Sequence, residues 1–112
     1  MSAPLAEVRI EAPHAESQFR GAPADVQESL RRQDRTLVQD PQHGTFIATG
    51  RVPKEALRRW QARVGALANL WKLDLPQGWR ALYTVGSDGP LRVVFVIEVV
   101  RHKDYDRLLG YK

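Results

Sequence analysis

The chain has 112 residues, of which 43% are hydrophobic and 27% are charged, and this composition is typical of one globular domain rather than of a disordered or fibrous chain. The absence of cysteine excludes disulfides and thiolate chemistry. Seventeen Lys and Arg against thirteen Asp and Glu give a net charge of +4, which favours polyanionic partners.

Neither a membrane segment nor a metal site is indicated. No apolar stretch reaches the roughly 20 residues needed to span a bilayer, and the first residues lack the pattern of a secretory signal. We therefore expect a cytoplasmic protein with no membrane partner. Because His14, His43 and His102 are widely separated, we expect no metal and no cofactor.

The first part of the chain reads as a strand followed by two helices. Residues 7–11, "EVRIE", alternate charged and apolar side chains, which is typical of a half-buried strand. Residues 13–20 favour a short helix, and residues 23–40 favour a longer one that ends before Pro41. The longer helix carries one apolar stripe, formed by Val26, Leu30 and Leu37. We expect a helical hairpin here.

A connector with the β-prone stretch "TFIAT" leads to a third helix. Pro53 occupies a first-turn position, and Leu57, Trp60 and Val64 follow at helical spacing before Gly65. The opposite side of this helix is rich in arginine, including Arg58 and Arg59, and pattern alone favours a solvated basic face.

The last third predicts three strands. "NLWKLDL" alternates, so that Lys72 and Asp74 share one face and the large apolar side chains share the other. "GWRALYTV" follows a Pro-Gln-Gly turn as a second strand. "LRVVFVIEVV" is apolar on both sides and predicts a central strand, after which the tail "RHKDYDRLLGYK" turns helical around Tyr105. The three strands should form an antiparallel meander.

Together these elements predict an α+β fold in one domain, residues 1–112. We expect an antiparallel meander sheet of about four strands. The N-terminal helical hairpin and the short third helix are expected to pack on one face of that sheet.

Cations, a histidine and a tyrosine recur near the predicted strand ends. Lys72 and Arg80 flank one tight connection and can reach the same surface of the sheet, whereas His102 and Tyr105 leave the neighbouring strand. Cleavage of RNA needs a proton removed from the 2′-hydroxyl, a proton given to the 5′-oxygen and stabilisation of charge on phosphorus. Arginine matches phosphate oxygens, and histidine titrates near neutrality.

Each of these residues also has a structural interpretation. Lys72 can be a solvated lysine on the open face of the sheet, and Arg80 can stack on Trp79 or pair with Asp74. Tyr105 and Tyr111 can anchor the tail by packing. Composition and spacing therefore indicate only a basic α+β domain.

The stretches "LWKLDLPQGWRALYTV" and "VVFVIEVVRHKDYDRLLGY" resemble the second half of RelE/ParE-superfamily toxins from bacterial and archaeal toxin–antitoxin systems. The resemblance implies a RelE-like fold. In the RelE branch it implies a ribosome-dependent endoribonuclease that cuts mRNA, inhibits translation and is neutralised by a cognate antitoxin protein. Members of the ParE branch act instead on DNA gyrase.

By position, the resemblance gives Lys72 the role of the first lysine in the family's Lys-x-Lys strand and gives Arg80 the role of the arginine that holds the scissile phosphate. His102 stands where the RelE branch has a second arginine, and an acid/base role is implied. Tyr105 or Tyr111 would be the catalytic tyrosine, with Tyr105 nearer the strand. The catalytic candidates are thus Lys72, Arg80, His102 and Tyr105, and the RNA-binding candidates are Arg58, Arg59, Arg101 and Lys103.

Asp74 departs from this pattern, because it stands where the family has its second lysine. It can orient Lys72 or Arg80, or it can signal lost activity. The alternative function is therefore a non-catalytic member of the fold, either a gyrase-directed toxin or an RNA- or ribosome-binding module. A degenerate member without toxicity is the third hypothesis.

Overall fold

The computed structural model describes residues 6–110, so Tyr111 lies outside the described residues. None of the helices within this range is long and apolar enough to cross a membrane. The regular elements, in chain order, are β1 (Ala6–Ile10), α1 (His14–Gly21), α2 (Ala24–Gln39), β2 (Thr45–Ile47), α3 (Lys54–Val64), β3 (Leu70–Asp74), β4 (Trp79–Asp88), β5 (Leu91–Arg101) and α4 (His102–Leu109).

The strands form one mixed sheet in the order β1-β5-β4-β3-β2. The predicted meander is confirmed, because β3, β4 and β5 pair antiparallel in sequence. The prediction of about four antiparallel strands is wrong in two respects: β1 pairs parallel to β5, and β2 adds a fifth strand beside β3. A tight turn fixes the antiparallel direction of a hairpin, whereas the long connection between β1 and β5 leaves their relative direction open.

Helices cover both faces of the sheet, so the prediction that they pack on one face is wrong. One core cluster joins the sheet to α1 and α2 through residues such as Phe19 and Leu30, and another joins it to α3 and α4 through Trp60 and Leu109. The physical reason is that β4 and β5 are apolar on both sides, and a sheet of that kind must be covered on both faces.

A bulge in β5 sets the direction of its last residues. Tyr83 pairs with Val96 and Leu82 pairs with Glu98, so Ile97 is an additional residue on β5. Bulges re-aim side chains and often lie beside functional sites. Here the bulge brings Glu98 onto the same face as Leu82, the face covered by α3 and α4.

Helix α1 closes an open edge of the sheet. Strand β1 ends at Ile10, opposite Val96, so the C-terminal part of β5 has no strand partner on that side. Gln18 on α1 replaces the missing partner, because its Oε1 accepts a hydrogen bond of 2.8 Å from the backbone N–H of Val99. As a result, α1 lies beside the C-terminal part of β5.

Candidate functional site

The candidate site lies at one rim of the sheet, where β3 and β5 end and β4 begins. Antiparallel pairing sets Asp74 directly opposite Arg80. Lys72 is two residues earlier on β3 and therefore shares their face. The α4 helix begins at His102, immediately after β5. The four sequence-predicted catalytic residues, Lys72, Arg80, His102 and Tyr105, come together here with Asp74 and Asp106, and we call these six residues the rim cluster.

Arg80 is the centre of the rim cluster. Its Nε donates a hydrogen bond of 3.1 Å to Oδ1 of Asp74, and its Nη1 lies 2.7 Å from Nδ1 of His102. The guanidinium carbon lies 4.7 Å from the centre of the Tyr105 ring, within the range of a cation–π interaction. Three different partners therefore hold one planar cation, the group best shaped for two phosphate oxygens.

These contacts define the tautomer of His102. A guanidinium can only donate, so Nδ1 of His102 must accept the hydrogen bond from Arg80. The proton of the neutral ring is then on Nε2, which lies 2.9 Å from Oδ2 of Asp106. A protonated ring would set two donors against each other at Arg80. Arg80 and Asp106 thus orient the two ring nitrogens of His102.

Asp106 is a site residue that the sequence reasoning missed. Its signal was present, since Asp106 follows His102 by four residues in a stretch predicted to be helical. That spacing brings two side chains to the same face of a helix.

Tyr105 is buried, with only 3% of its surface exposed. Its ring centre lies 6.0 Å from Nζ of Lys72, in addition to its contact with Arg80. The ring of Tyr105 therefore lies beneath both cations of the rim cluster, Lys72 and Arg80.

Asp74 bridges the same two cations from the solvent side. Its Oδ1 lies 3.1 Å from Nζ of Lys72 and 3.1 Å from Nε of Arg80, although 70% of its side chain is exposed. The hydrogen bond from Lys72, joined by that from Arg80, lowers the pKa of Asp74 below its usual value. At neutral pH this carboxylate occupies the position where an anionic ligand would meet both cations.

The four RNA-binding candidates are all exposed but occupy different places. Arg101 and Lys103 flank His102 in the chain and are therefore next to the rim cluster. Arg58 and Arg59 are on α3, and only Arg59 lines a cleft of about 320 Å³ that this helix forms with α1, α4 and β5.

A second polar cluster surrounds Glu98, which is 4% exposed. Its carboxylate accepts hydrogen bonds from Gln18 at 2.8 Å, from Trp60 at 2.8 Å and from Arg63 at 3.0 Å. Burial alone would raise the pKa of Glu98, but these three donors outweigh burial and hold the pKa below its usual value. The sequence signal for this cluster was a single carboxylate in the apolar run of β5, and it was missed.

Neither cluster assembles a metal site. Across residues 6–110, no group of three or more histidine, aspartate or glutamate side chains is arranged to hold a metal ion.

Known structures with the same fold are E. coli toxin RelE and its antitoxin complexes. A double mutant of RelE in the free state is 17% identical, with a TM-score of 0.57 over 95% of this chain and 96% of that chain. The same mutant with a peptide of the antitoxin RelBc is 19% identical, with a TM-score of 0.57 over 92% and 93%. The intact E. coli RelBE toxin–antitoxin complex is 20% identical, with a TM-score of 0.54 over 86% and 95%. No protein-family model and no curated protein matches the chain. The chain therefore has a RelE-like toxin fold.

Proposed function

We propose that this chain is a RelE-like toxin of a type II toxin–antitoxin system. It is a metal-independent endoribonuclease that cleaves mRNA on the ribosome in the cytoplasm and so inhibits translation. The observation that carries the proposal is the position of Arg80, whose guanidinium reaches the imidazole of His102 at 2.7 Å. A phosphate-binding group and a proton-transfer group are thus adjacent within a RelE-like fold.

The proposed reaction begins when the scissile phosphate takes the place of the Asp74 carboxylate. Arg80 then turns its guanidinium from His102 and Asp74 towards two phosphate oxygens. This movement frees Nδ1 of His102, which accepts the proton of the ribose 2′-hydroxyl, while Asp106 stabilises the resulting imidazolium.

The 2′-oxygen bonds to phosphorus and the bond from phosphorus to the 5′-oxygen breaks. Lys72, with 20% of its side chain exposed, stabilises the negative charge that develops during this step. The departing oxygen takes a proton from water. The products are a 2′,3′-cyclic phosphate and a 5′-hydroxyl, and no metal takes part.

Tyr105 has a positioning role in this proposal. The resemblance made it a candidate for the catalytic tyrosine, but its burial and its place beneath Arg80 favour support of the guanidinium. Its ring limits the rotation of Arg80 to orientations that face the phosphate.

The proposed partners are mRNA, the ribosome and a cognate antitoxin protein. The RelE structures with RelBc and RelB support the antitoxin, because they contain the same fold in complex with one. An antitoxin for a toxin of net charge +4 is expected to be acidic. Co-purification of a small acidic protein encoded by the neighbouring reading frame tests this expectation.

The decisive experiment measures mRNA cleavage by the wild-type chain and two variants. Wild-type expression should arrest growth and leave cut mRNA, whereas Arg80→Ala and His102→Ala should each lower cleavage by at least ~100-fold. Arg92→Ala is the matched control, because it removes an exposed arginine from the opposite end of β5. Unchanged cleavage in both site variants would contradict the proposal.

Asp74 favours a second candidate function, a non-catalytic member of the fold that is directed at gyrase or binds RNA or the ribosome. Its carboxylate neutralises part of the charge that would attract phosphate. Growth arrest with intact mRNA would select this candidate. Inhibition of gyrase supercoiling would then identify the gyrase-directed form, and ribosome or RNA binding without cleavage would identify the binding module.

A further inference from the structure

A groove that residues of both α1 and α4 line begins beside the rim cluster. It consists of two adjoining clefts, one of about 560 Å³ and one of about 320 Å³. The clefts share three lining residues, Gln18, Val100 and Asp104, and are therefore adjacent. We call this feature the α1–α4 groove.

One end of the groove adjoins the rim cluster. Trp79 and Arg101 line it there and face each other across β4 and β5. Each is the chain neighbour of a rim-cluster residue, since Trp79 precedes Arg80 and Arg101 precedes His102. Successive side chains on a strand alternate between faces, so the indole lies across the edge of the sheet from the guanidinium of Arg80. The indole is only partly buried.

The other end of the groove is basic. Arg59 of α3, Arg107 of α4 and His14 of α1 line it. Arg107 is 3.6 Å from Asp104, whereas Arg59 and Arg101 form no ion pair with a described residue. The buried carboxylate of Glu98 is already satisfied by Arg63 and its other donors. The groove therefore carries two uncompensated arginines, one at each end.

We propose that the α1–α4 groove binds the single-stranded RNA that leaves the scissile phosphate. The base next to that phosphate stacks on Trp79, and the phosphates that follow contact Arg101 and then Arg59. This inference rests on the proposed function, because it needs a phosphate at Arg80.

The chemistry of the groove selects this ligand. A positively charged channel with an aromatic ring at one point is the arrangement that binds unpaired strands, because phosphates follow the charge and any base can stack. Helix α4, which contributes to one side of the groove, has eight residues and is therefore about 12 Å long at about 1.5 Å per residue. A wall of this length suits a short extended strand.

The sequence hypothesis and the groove make different predictions for neighbouring cations. A uniform basic patch would require Arg58, Arg59, Arg101 and Lys103 to contribute equally. The groove retains only Arg59 and Arg101, because Arg58 and Lys103 do not line it. Arg58 is therefore the matched control for Arg59, and Lys103 is the matched control for Arg101.

The test is binding of a fluorescent, 2′-O-methylated oligoribonucleotide of about eight nucleotides, measured by anisotropy at several salt concentrations. Arg59→Ala and Arg101→Ala should each weaken binding and reduce the slope of log K against log salt by about 0.7, the value for one phosphate of a single strand. Arg58→Ala and Lys103→Ala should leave the slope unchanged. If Arg58→Ala had the same effect as Arg59→Ala, and Lys103→Ala the same effect as Arg101→Ala, the groove would be wrong.

Trp79 is tested by a variant and by a modified ligand. Trp79→Leu keeps an apolar side chain and should weaken binding of the oligonucleotide about tenfold, the scale of one lost stacking contact. An oligonucleotide with an abasic residue next to the central phosphate should lose the same affinity with the wild-type chain, which covers the case in which Trp79→Leu fails to fold. Full affinity for the abasic ligand would overturn the stacking site.

The groove and the proposed function fail in different ways. If cleavage of unmodified RNA depends on Arg80 but Arg59→Ala and Arg58→Ala bind RNA equally, the function stands and the groove is wrong. If Arg59→Ala and Arg101→Ala reduce the salt slope, Arg58→Ala and Lys103→Ala do not, and no RNA is cut, the groove stands and the binding module replaces the enzyme. If the wild-type chain does not bind the oligonucleotide, the groove is wrong.

Discussion

Replacement of Asp74 by Asn should strengthen phosphate binding at the rim cluster. The carboxylate bridges Lys72 and Arg80 through one oxygen, 3.1 Å from each cation, so any phosphate must displace it. Asn keeps the size of the side chain and an accepting oxygen but removes the charge. The variant therefore tests the effect of the negative charge while the shape of the side chain stays the same.

The size of the effect follows from the exposure of Asp74. An exposed ion pair contributes about 0.2–1 kcal/mol, and a side chain that is 70% exposed belongs to this class. Two such pairs amount to about 0.4–2 kcal/mol. Since 1.4 kcal/mol is a tenfold change in affinity, Asp74→Asn should bind phosphate-containing ligands about 2- to 30-fold more tightly.

The assay is the affinity for a short 2′-O-methylated RNA at low salt, where surface electrostatics are least screened. Asp88→Asn is the matched control, because Asp88 is also an exposed carboxylate paired with an arginine and lies at the far end of β4. It changes the net charge equally without touching the site. Weaker binding by Asp74→Asn, with Asp88→Asn unchanged, would refute the reasoning and show that Asp74 orients the cations for phosphate.

Three further predictions concern other parts of the molecule. Gly44→Ala should lower the free energy of unfolding by about 1–3 kcal/mol in denaturant melts, since the new Cβ would lie 2.8 Å from Oη of Tyr83; an unchanged midpoint would contradict this close approach. Tyr105→Phe should retain cleavage whereas Tyr105→Leu should lose it, because the ring supports Arg80; equal losses would assign a role to the hydroxyl. Glu98→Gln should destabilise the fold at neutral pH by about 1–3 kcal/mol, since Trp60, Gln18 and Arg63 lose their charged acceptor and Arg63 keeps only its ion pair with Glu11. The folded state lowers the pKa of Glu98, so its contribution is complete above about pH 4.3 and is lost as pH falls through the folded value. Wild type and Glu98→Gln should therefore converge in stability at acid pH, and a constant difference down to pH 2 would count against the assignment.

Local pattern predicted the parts of the fold that depend on local contacts. The alternation in β3 assigned Lys72 and Asp74 to the face opposite Trp71 and Leu73, and the structure confirms this because the apolar pair enters a core cluster. The helix bounds agreed for the same reason: the apolar stripes and the breaking residues act within a few positions of one another.

Non-local pairing could not be predicted in the same way. No turn joins β1 to β5, so nothing near either strand sets their parallel direction. The position of α1 beside β5 depends on contact between segments 80 or more residues apart, which includes the hydrogen bond from Val99 to Gln18 and that from Gln18 to Glu98. The α1–α4 groove is a consequence of that contact and could therefore not be predicted from the sequence pattern. The four-residue spacing of His102 and Asp106 could have been predicted and was overlooked.

The contrast between Glu98 and Asp74 explains why one carboxylate is structural and the other exchangeable. Both accept hydrogen bonds from an arginine at about 3 Å. Glu98 is 4% exposed, so water cannot replace its donors and any change leaves buried groups unpaired, at a cost of several kcal/mol. Asp74 is largely in water, which compensates it when its partners leave. An incoming phosphate has more accepting oxygens than a carboxylate and can therefore displace Asp74 from Lys72 and Arg80. The hydrogen bonds around Glu98 remain intact during this exchange and hold the walls of the α1–α4 groove in place.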